Sequence, residues 1–173
     1  MKSPTDSLRL FYALWPDEHI RSQLVALQSK VSGRKIVPEN LHMTLAFLGQ
    51  QSRELLPVLL QAMDELPFNT MTLAIDRLGY FQKPQIAWAG LSSAPQALLD
   101  LQRTLMEKLA YLDVPLKAET GFKPHVTLAR DAKEPTVTDT PSIFWHVRRI
   151  VLISSISTSS GVSYMPLRER HVQ

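Results

Sequence analysis

Apolar and polar residues alternate along two short stretches of the chain that also share a sequence. Residues 41–49 read LHMTLAFLG and residues 124–130 read PHVTLAR, so the kernel His-x-Thr-Leu-Ala occurs in both. Alternation among β-forming residues beside a glycine or a proline predicts a strand. Successive side chains of a strand point to opposite faces. Each copy is therefore expected to present a histidine and a threonine on one face and apolar residues on the other.

The remaining hydrophobic pattern predicts further strands and helices. Residues 8–15 and 85–91 are typical of strands, and each is followed by apolar residues at helical spacing, over about residues 17–32 and 92–112. A third helix is predicted at residues 52–66, with a polar hinge at residues 131–142. The other predicted strands are residues 71–75, 146–153 and 162–167.

The order of strand, helix, loop and His-x-Thr strand occurs twice along the chain. Trp15 precedes His42 by 27 positions, and Trp88 precedes His125 by 37. This match predicts an internal duplication. We therefore expect one bilobal domain spanning residues 1–173, of class α+β. Two similar antiparallel sheets would face a central groove, related by a pseudo-two-fold axis, with helices on the outer faces.

Composition limits the kinds of chemistry that are available. Of the 173 residues, 45% are apolar and 20% charged, as in ordinary globular proteins. There is no cysteine, which excludes disulfides, thiolate metal sites and cysteine nucleophiles. The net charge of +3 favours a phosphate-bearing ligand but is far from that of a protein that coats duplexes. With no signal-like or membrane-spanning run, a cytoplasmic monomer without membrane partners is expected.

The repeated histidine is the strongest functional signal in the sequence. A single His-x-Thr on a strand is usually half-exposed sheet surface, but here two of five histidines occupy matching positions. Two facing imidazoles suit a reaction that needs a base and an acid, because their unperturbed pKa lies near 6.5. A phosphodiester is a natural substrate for such a pair. Thr44 and Thr127 would donate to its non-bridging oxygens, and Arg130 would add a fixed positive charge.

Two alternatives use the same residues differently. A metal site is disfavoured, because the motif has a neutral threonine where a carboxylate or second histidine is expected, so no metal or cofactor is predicted. A non-catalytic RNA-binding module stays open, since strand aromatics and arginines can stack on bases and contact phosphates. The aromatic residues concerned are Phe11, Tyr12, Trp15 and Trp88.

The two motifs and their surroundings carry a family resemblance. The paired His-x-Thr motifs, the lead-in Pro38-Glu39-Asn40-Leu41 and the following Phe47-Leu48-Gly49 resemble the two-histidine phosphoesterases. Phe11-Tyr12-Ala13 and Arg130 add to the match. The similarity covers nearly the whole chain, and the nearest group is the bacterial RNA 2′,3′-cyclic phosphodiesterases, also called 2′-5′ RNA ligases.

The resemblance implies a metal-free enzyme that opens 2′,3′-cyclic phosphate ends of RNA to 2′-phosphates. Such an enzyme can also join RNA halves through a 2′-5′ linkage. Its implied partners are RNA ends or tRNA fragments bearing a 2′,3′-cyclic phosphate, or cyclic nucleotides.

The same resemblance implies a role for each site residue. His42 would be the acid that protonates the ribose 3′-oxygen, and His125 the base that activates water. The implied substrate-binding residues are Thr44, Thr127 and Arg130 at the phosphate and Phe11 at the base.

Overall fold

Nine antiparallel strands form one continuous sheet in the computed structural model, which describes residues 6–118 and 121–173. The strands are β1 (Ser7–Leu14), β2 (Arg34–Lys35), β3 (Met43–Ser52), β4 (Met71–Phe81), β5 (Ile86–Gly90), β6 (His125–Arg130), β7 (Asp139–Val147), β8 (Arg149–Thr158) and β9 (Gly161–His171). Across the sheet their order is β7-β4-β5-β6-β3-β1-β8-β9, and the short β2 pairs with β6.

The helices begin and end close to where the hydrophobic pattern predicts them. They are α1 (Glu18–Gln28), α2 (Leu56–Asp64) and α3 (Gln96–Tyr111). The Asp17 carboxylate caps α1 by accepting a 2.9 Å hydrogen bond from the amide of Ile20. Helix α1 ends at Gln28, ahead of its predicted end, because the amide of Ser29 bonds to the carbonyl of Ala26, three residues back, and so does not continue the α-helical pattern. No helix among the described residues is long and apolar enough to span a bilayer.

The two halves of the sheet meet where β3 and β6 lie side by side. Met43 pairs with Val126 at this junction. Outward from that pair, β1, β8 and β9 follow on one side and β5, β4 and β7 on the other. The units β1-α1-β3 and β5-α3-β6 repeat the same connection. The predicted α+β class and pseudo-two-fold duplication are confirmed, and the two predicted sheets are continuous through the Met43–Val126 pair.

Each half of the sheet is covered by the helix that connects strands of the other half. Helix α1 packs behind β6 and β7, and α3 packs behind β3. The buried Gln28 of α1 donates to the carbonyl oxygen of Leu128 on β6 at 3.0 Å. The buried Gln51 of β3 donates to the carbonyl of Pro115, beyond α3, at 2.7 Å. These exchanged helices and a shared apolar core hold the two halves together.

Two predicted boundaries near the C-terminal end are wrong. The predicted strand at residues 146–153 is two strands, because β7 ends at Val147 and β8 begins at Arg149. The predicted hinge at residues 131–142 is shorter, because β7 already begins at Asp139. The first four residues of β7 are all exposed or half-buried, so they lack the alternation that predicts a strand.

The last strand is an edge strand, as predicted, but it is longer than residues 162–167. Pro166 lies within it, at a register shift opposite Ile153. Proline is tolerated at a bulge or on the free side of an edge strand, because no ladder bond needs its missing N–H.

Candidate active site

The central strands β3 and β6 bring the two motifs together on one face of the sheet. In an antiparallel pair centred on Met43 and Val126, Thr44 faces His125 and His42 faces Thr127. Thr44 and His125 line the same cavity. The sheet therefore places both histidines and both threonines around one groove, as the repeat predicts.

A bulge in each motif strand changes which later residues reach the groove. The register of β3 against β1 skips a position at residues 44–46, and that of β6 against β5 skips one at residues 127–129. Two successive buried residues therefore follow each threonine. Beyond them, the residues that face the groove are those that strict alternation would place on the opposite face. As a result Phe47 and Arg130 occupy equivalent positions, and both line the larger arm of the groove.

His42 is held by hydrogen bonds at both ring nitrogens. Its Nδ1 lies 2.6 Å from the carbonyl oxygen of Asn40, which can only accept, so Nδ1 carries a proton. Its Nε2 lies 3.0 Å from the hydroxyl oxygen of Thr44. In the neutral ring Nε2 is thus the acceptor, and it is the nitrogen that exchanges a proton on the groove side.

His125 is held in the same way, as the duplication requires. Its Nδ1 donates to the carbonyl oxygen of Lys123 at 2.7 Å, two residues earlier in the chain, like Asn40 before His42. Its Nε2 makes no hydrogen bond to any residue within 6–118 or 121–173. That nitrogen is available to a water molecule or a substrate in the groove.

Aromatic rings surround His42 on the groove face. Trp15 stacks on its imidazole with ring centroids 5.0 Å apart and planes at 2°. Phe11 stacks on it at 5.0 Å and 29°, and Tyr164 meets it edge-on at 5.5 Å. Phe11 is only 4% exposed, so little of its ring is open to a nucleobase. Base stacking by Phe11 stays a prediction.

The aromatic contacts of His125 are different. Phe81 meets its ring edge-on, at 5.0 Å and 89°, and Trp88 lies 6.1 Å away at a tilt. Trp88 packs directly on the backbones of Gly79 and Gly90. A Cβ added at Gly79 would lie 2.1 Å from the Trp88 ring, and one added at Gly90 would lie 2.6 Å from it. Both glycines are therefore required for the present position of Trp88 beside His125.

The groove lowers the pKa of both histidines. The pKa of His42 is lowered to about 4, chiefly by burial and also by the charges of His125 and Arg130, against the raising effect of the Asn40 carbonyl bond. Burial likewise lowers the pKa of His125, opposed by its bond to the Lys123 carbonyl. Without an anion in the groove, both imidazoles are thus expected to be neutral near pH 7.

The groove has two arms that meet at Phe47. The smaller arm, about 370 Å³, extends from Thr44 and His125 towards Phe122 and Lys123. The larger, about 930 Å³, extends from Arg130 along β1 and β8. In the part of the chain that the structure describes, no three His, Asp or Glu side chains are grouped so as to hold a metal ion.

Sequence reasoning named six of the residues at the groove and missed others. His42, Thr44, His125 and Thr127 lie around it, and Phe11 and Arg130 line its larger arm. The missed residues include Phe47, Lys123 and Tyr164. Phe47 had a signal, since it stands third after the threonine of the first motif, as Arg130 does in the second.

Comparison with known proteins agrees with this geometry. Residues 14–88 match the model of the LigT-like phosphoesterase family. The RNA 2′,3′-cyclic phosphodiesterase of Escherichia coli K12 is 30% identical over 92% of this chain and 94% of its own length. The Thermus thermophilus protein of that name is 32% identical over 94% of this chain and 89% of its own.

A solved structure gives the same result for the fold. Unliganded E. coli LigT is similar with a TM-score of 0.84 at 28% identity, over 96% of this chain and 98% of that one. The chain therefore belongs to the LigT-like phosphoesterases, the two-histidine family that its repeated motif predicts.

Proposed function

We propose that this protein is an RNA 2′,3′-cyclic phosphodiesterase that hydrolyses cyclic phosphate ends to 2′-phosphates. The observation that carries the proposal is the matched pair of imidazoles on one groove, each with Nδ1 bonded to a carbonyl two residues earlier. The E. coli and Thermus relatives with that name support it, as does a LigT structure complexed with 3′-AMP.

The reaction needs two proton transfers on opposite sides of the phosphorus. His125 Nε2 takes a proton from a water molecule, whose oxygen forms a bond to phosphorus. The bond from phosphorus to the 3′-oxygen breaks, and His42 Nε2 gives its proton to that oxygen. The product is a 2′-phosphate with a free 3′-hydroxyl, and the pair ends with its protonation states exchanged.

The other groove residues stabilise the charge that gathers on the phosphate. The hydroxyls of Thr44 and Thr127 donate to non-bridging oxygens, and the Arg130 guanidinium supplies a fixed positive charge. Thr44 already lies 3.0 Å from His42 Nε2, so its hydroxyl is close to where the proton is transferred.

The division of labour between the histidines is supported by their different surroundings. An acid must be protonated, and a bound phosphate anion raises the lowered pKa of His42. The stacked faces of Trp15 and Phe11 also favour a cation over a neutral ring at His42. Among the described residues none stacks face to face on His125, and its free Nε2 suits a base that binds water.

The same pair would catalyse the reverse reaction when a 5′-hydroxyl replaces water. Microscopic reversibility then gives a 2′-5′ linkage between RNA halves. RNA ends, tRNA fragments and cyclic nucleotides are the proposed substrates. Action as a single domain is supported by the shared core, while a monomeric state and a cytoplasmic location remain predictions.

The direct test compares hydrolysis of 2′,3′-cyclic AMP by the wild type, His42→Ala and His125→Ala. Loss of a positioned acid or base should lower the rate at least roughly a hundredfold in each variant. His19→Ala, which removes an exposed imidazole on α1, is the matched control and should retain full activity. Thermal unfolding of all four proteins checks that the variants stay folded.

A non-catalytic RNA-binding module would give a different result. The wild type would then bind RNA ends and leave the cyclic phosphate intact. An active His42→Ala or His125→Ala enzyme would instead contradict the two-histidine mechanism.

A further inference from the structure

The larger arm of the groove extends well beyond the space around the reacting phosphate. It leads from Arg130 and Tyr164, beside His42, to the outer ends of β1 and β3. Its volume is about 930 Å³, against about 370 Å³ for the arm beside His125. The following inference about this arm rests on the proposed function.

Positive charge lines this arm. Arg9, Lys117 and Arg130 line it, and none of the lining residues that the structure describes is a carboxylate. None of the three forms an ion pair with any residue in the described ranges 6–118 and 121–173. Some cations outside the arm are paired, as Lys108 is with Glu65 at 2.6 Å. Unpaired cations in a concave arm raise the local concentration of anions.

Arg9 lies on the same face of β1 as Phe11, which contacts the proposed acid His42. Arg9 and Phe11 are alternate residues of β1, so they share a face and lie about 6.6 Å apart along the strand. Phe11 stacks on His42 at 5.0 Å. Arg9, Arg130 and Tyr164 line the same arm, and the positive charges of the two arginines lower the pKa of the Tyr164 hydroxyl, which burial raises. Arg9 is therefore displaced along β1 from the residues around His42, in the same arm as Arg130.

Polar groups complete this part of the arm. Gln50 on β3 and Ser155 on β8 both pair with Arg9 across β1, and both line the arm. Lys117 enters from the segment after α3. A cationic site with neutral donors around it fits a phosphodiester and its ribose better than it fits an apolar group.

We infer that Arg9 and Lys117 form a second phosphate subsite, which binds the phosphodiester on the 5′ side of the terminal nucleotide. The preferred substrate is then a strand ending in a 2′,3′-cyclic phosphate, not a free cyclic mononucleotide.

Three substrates test this subsite. They are 2′,3′-cyclic AMP, the dinucleotide ApA with a 2′,3′-cyclic phosphate end, and the same dinucleotide with an uncharged methylphosphonate linkage. For the wild type, kcat/KM should be roughly tenfold higher with the charged dinucleotide than with the mononucleotide, because charge-assisted hydrogen bonds are gained. The methylphosphonate dinucleotide should lose most of that preference.

The double variant Arg9→Gln/Lys117→Gln should reduce the ratio of the two kcat/KM values to about one. Lys30→Gln/Lys133→Gln removes the same charge from exposed residues outside the groove and should keep the wild-type ratio. A preference that survives in the Arg9/Lys117 variant, or with the methylphosphonate, would overturn the subsite. So would equal kcat/KM values for mononucleotide and charged dinucleotide in the wild type.

Binding separates failure of the subsite from failure of the proposed function. The dissociation constants of 2′-AMP and of ApA ending in a 2′-phosphate are measurable without turnover. If no cyclic phosphate is hydrolysed, the proposed function fails, yet tighter binding of the dinucleotide that is lost in Arg9→Gln/Lys117→Gln would still support the subsite. Equal affinity for both ligands would contradict it.

Discussion

The indole of Trp15 lies parallel to the imidazole of His42, with 2° between their planes and 5.0 Å between their centroids. Hydrogen bonds to Asn40 and Thr44 already fix the ring in its own plane. The indole adds a surface that fixes its tilt and favours the imidazolium. Trp15 is thus expected to be a positioning residue for the proposed acid.

Replacing Trp15 with leucine should lower kcat more than it changes KM. A cation–π contact worth about 0.5–2 kcal/mol corresponds to a loss of roughly 2- to 30-fold. Tyr111→Leu is the control, because Tyr111 is 86% exposed at the end of α3. If Trp15→Leu keeps the wild-type kcat and its pH profile, the indole does not support the acid.

Replacing Arg130 with alanine should lower kcat/KM roughly 10- to 100-fold, because a charge-assisted hydrogen bond to the phosphate is lost. The free energy of unfolding should change within about ±0.5 kcal/mol, since Arg130 is exposed and forms no ion pair with the residues that the structure describes. Steady-state kinetics and chemical denaturation measure the two effects.

Two further variants sharpen the Arg130 test. Arg130→Lys should restore only part of the activity if two parallel hydrogen bonds to the phosphate are needed. Arg103→Ala, on the exposed surface of α3, should behave as the wild type. Wild-type kinetics in Arg130→Ala would remove this guanidinium from the site.

The pH dependence follows from the lowered pKa values of both histidines. The kcat/KM profile reports the free enzyme, in which His42 loses its proton as pH rises through about 4. The optimum of kcat/KM should therefore lie below 6.5. The kcat profile reports the enzyme–substrate complex. Its optimum should lie at higher pH than that of kcat/KM, because the bound phosphate anion favours the charged imidazole of His42.

Nuclear magnetic resonance can follow the His42 ring directly. Without ligand it should titrate near pH 4, and adding 2′-AMP should raise its pKa. By linkage, 2′-AMP should bind more tightly as pH falls through the same range. A free-state pKa of 6.5 that 2′-AMP does not change would show that burial and charge do not act as described.

The fold and the two motifs were predictable because local pattern and global repeat agree. The period of Leu98, Leu101, Leu105 and Leu109 set one face of α3, and all four are buried. The shared kernel at His42 and His125 indicated which strands must meet. A side-chain pattern with period two is enough to place a histidine and its threonine on one face.

The bulges were not predictable from alternation, and they change the site. Strict alternation after Thr44 would turn Leu48 towards the groove, but Leu48 is 4% exposed and Phe47 is 57% exposed. Tyr164 was missed for another reason. It reaches His42 from β9, a strand more than a hundred residues away, through a sheet order that no local pattern encodes.

The most direct test of the central claim is incubation of the wild type with 2′,3′-cyclic AMP in excess chelator, with the product identified by phosphorus NMR. If the two histidines supply both proton transfers, turnover should be unchanged by chelation, and the product should be 2′-AMP. Turnover that is lost with chelator and restored by a divalent metal would contradict metal-free catalysis, and a 3′-AMP product would contradict the assigned orientation of His42 and His125.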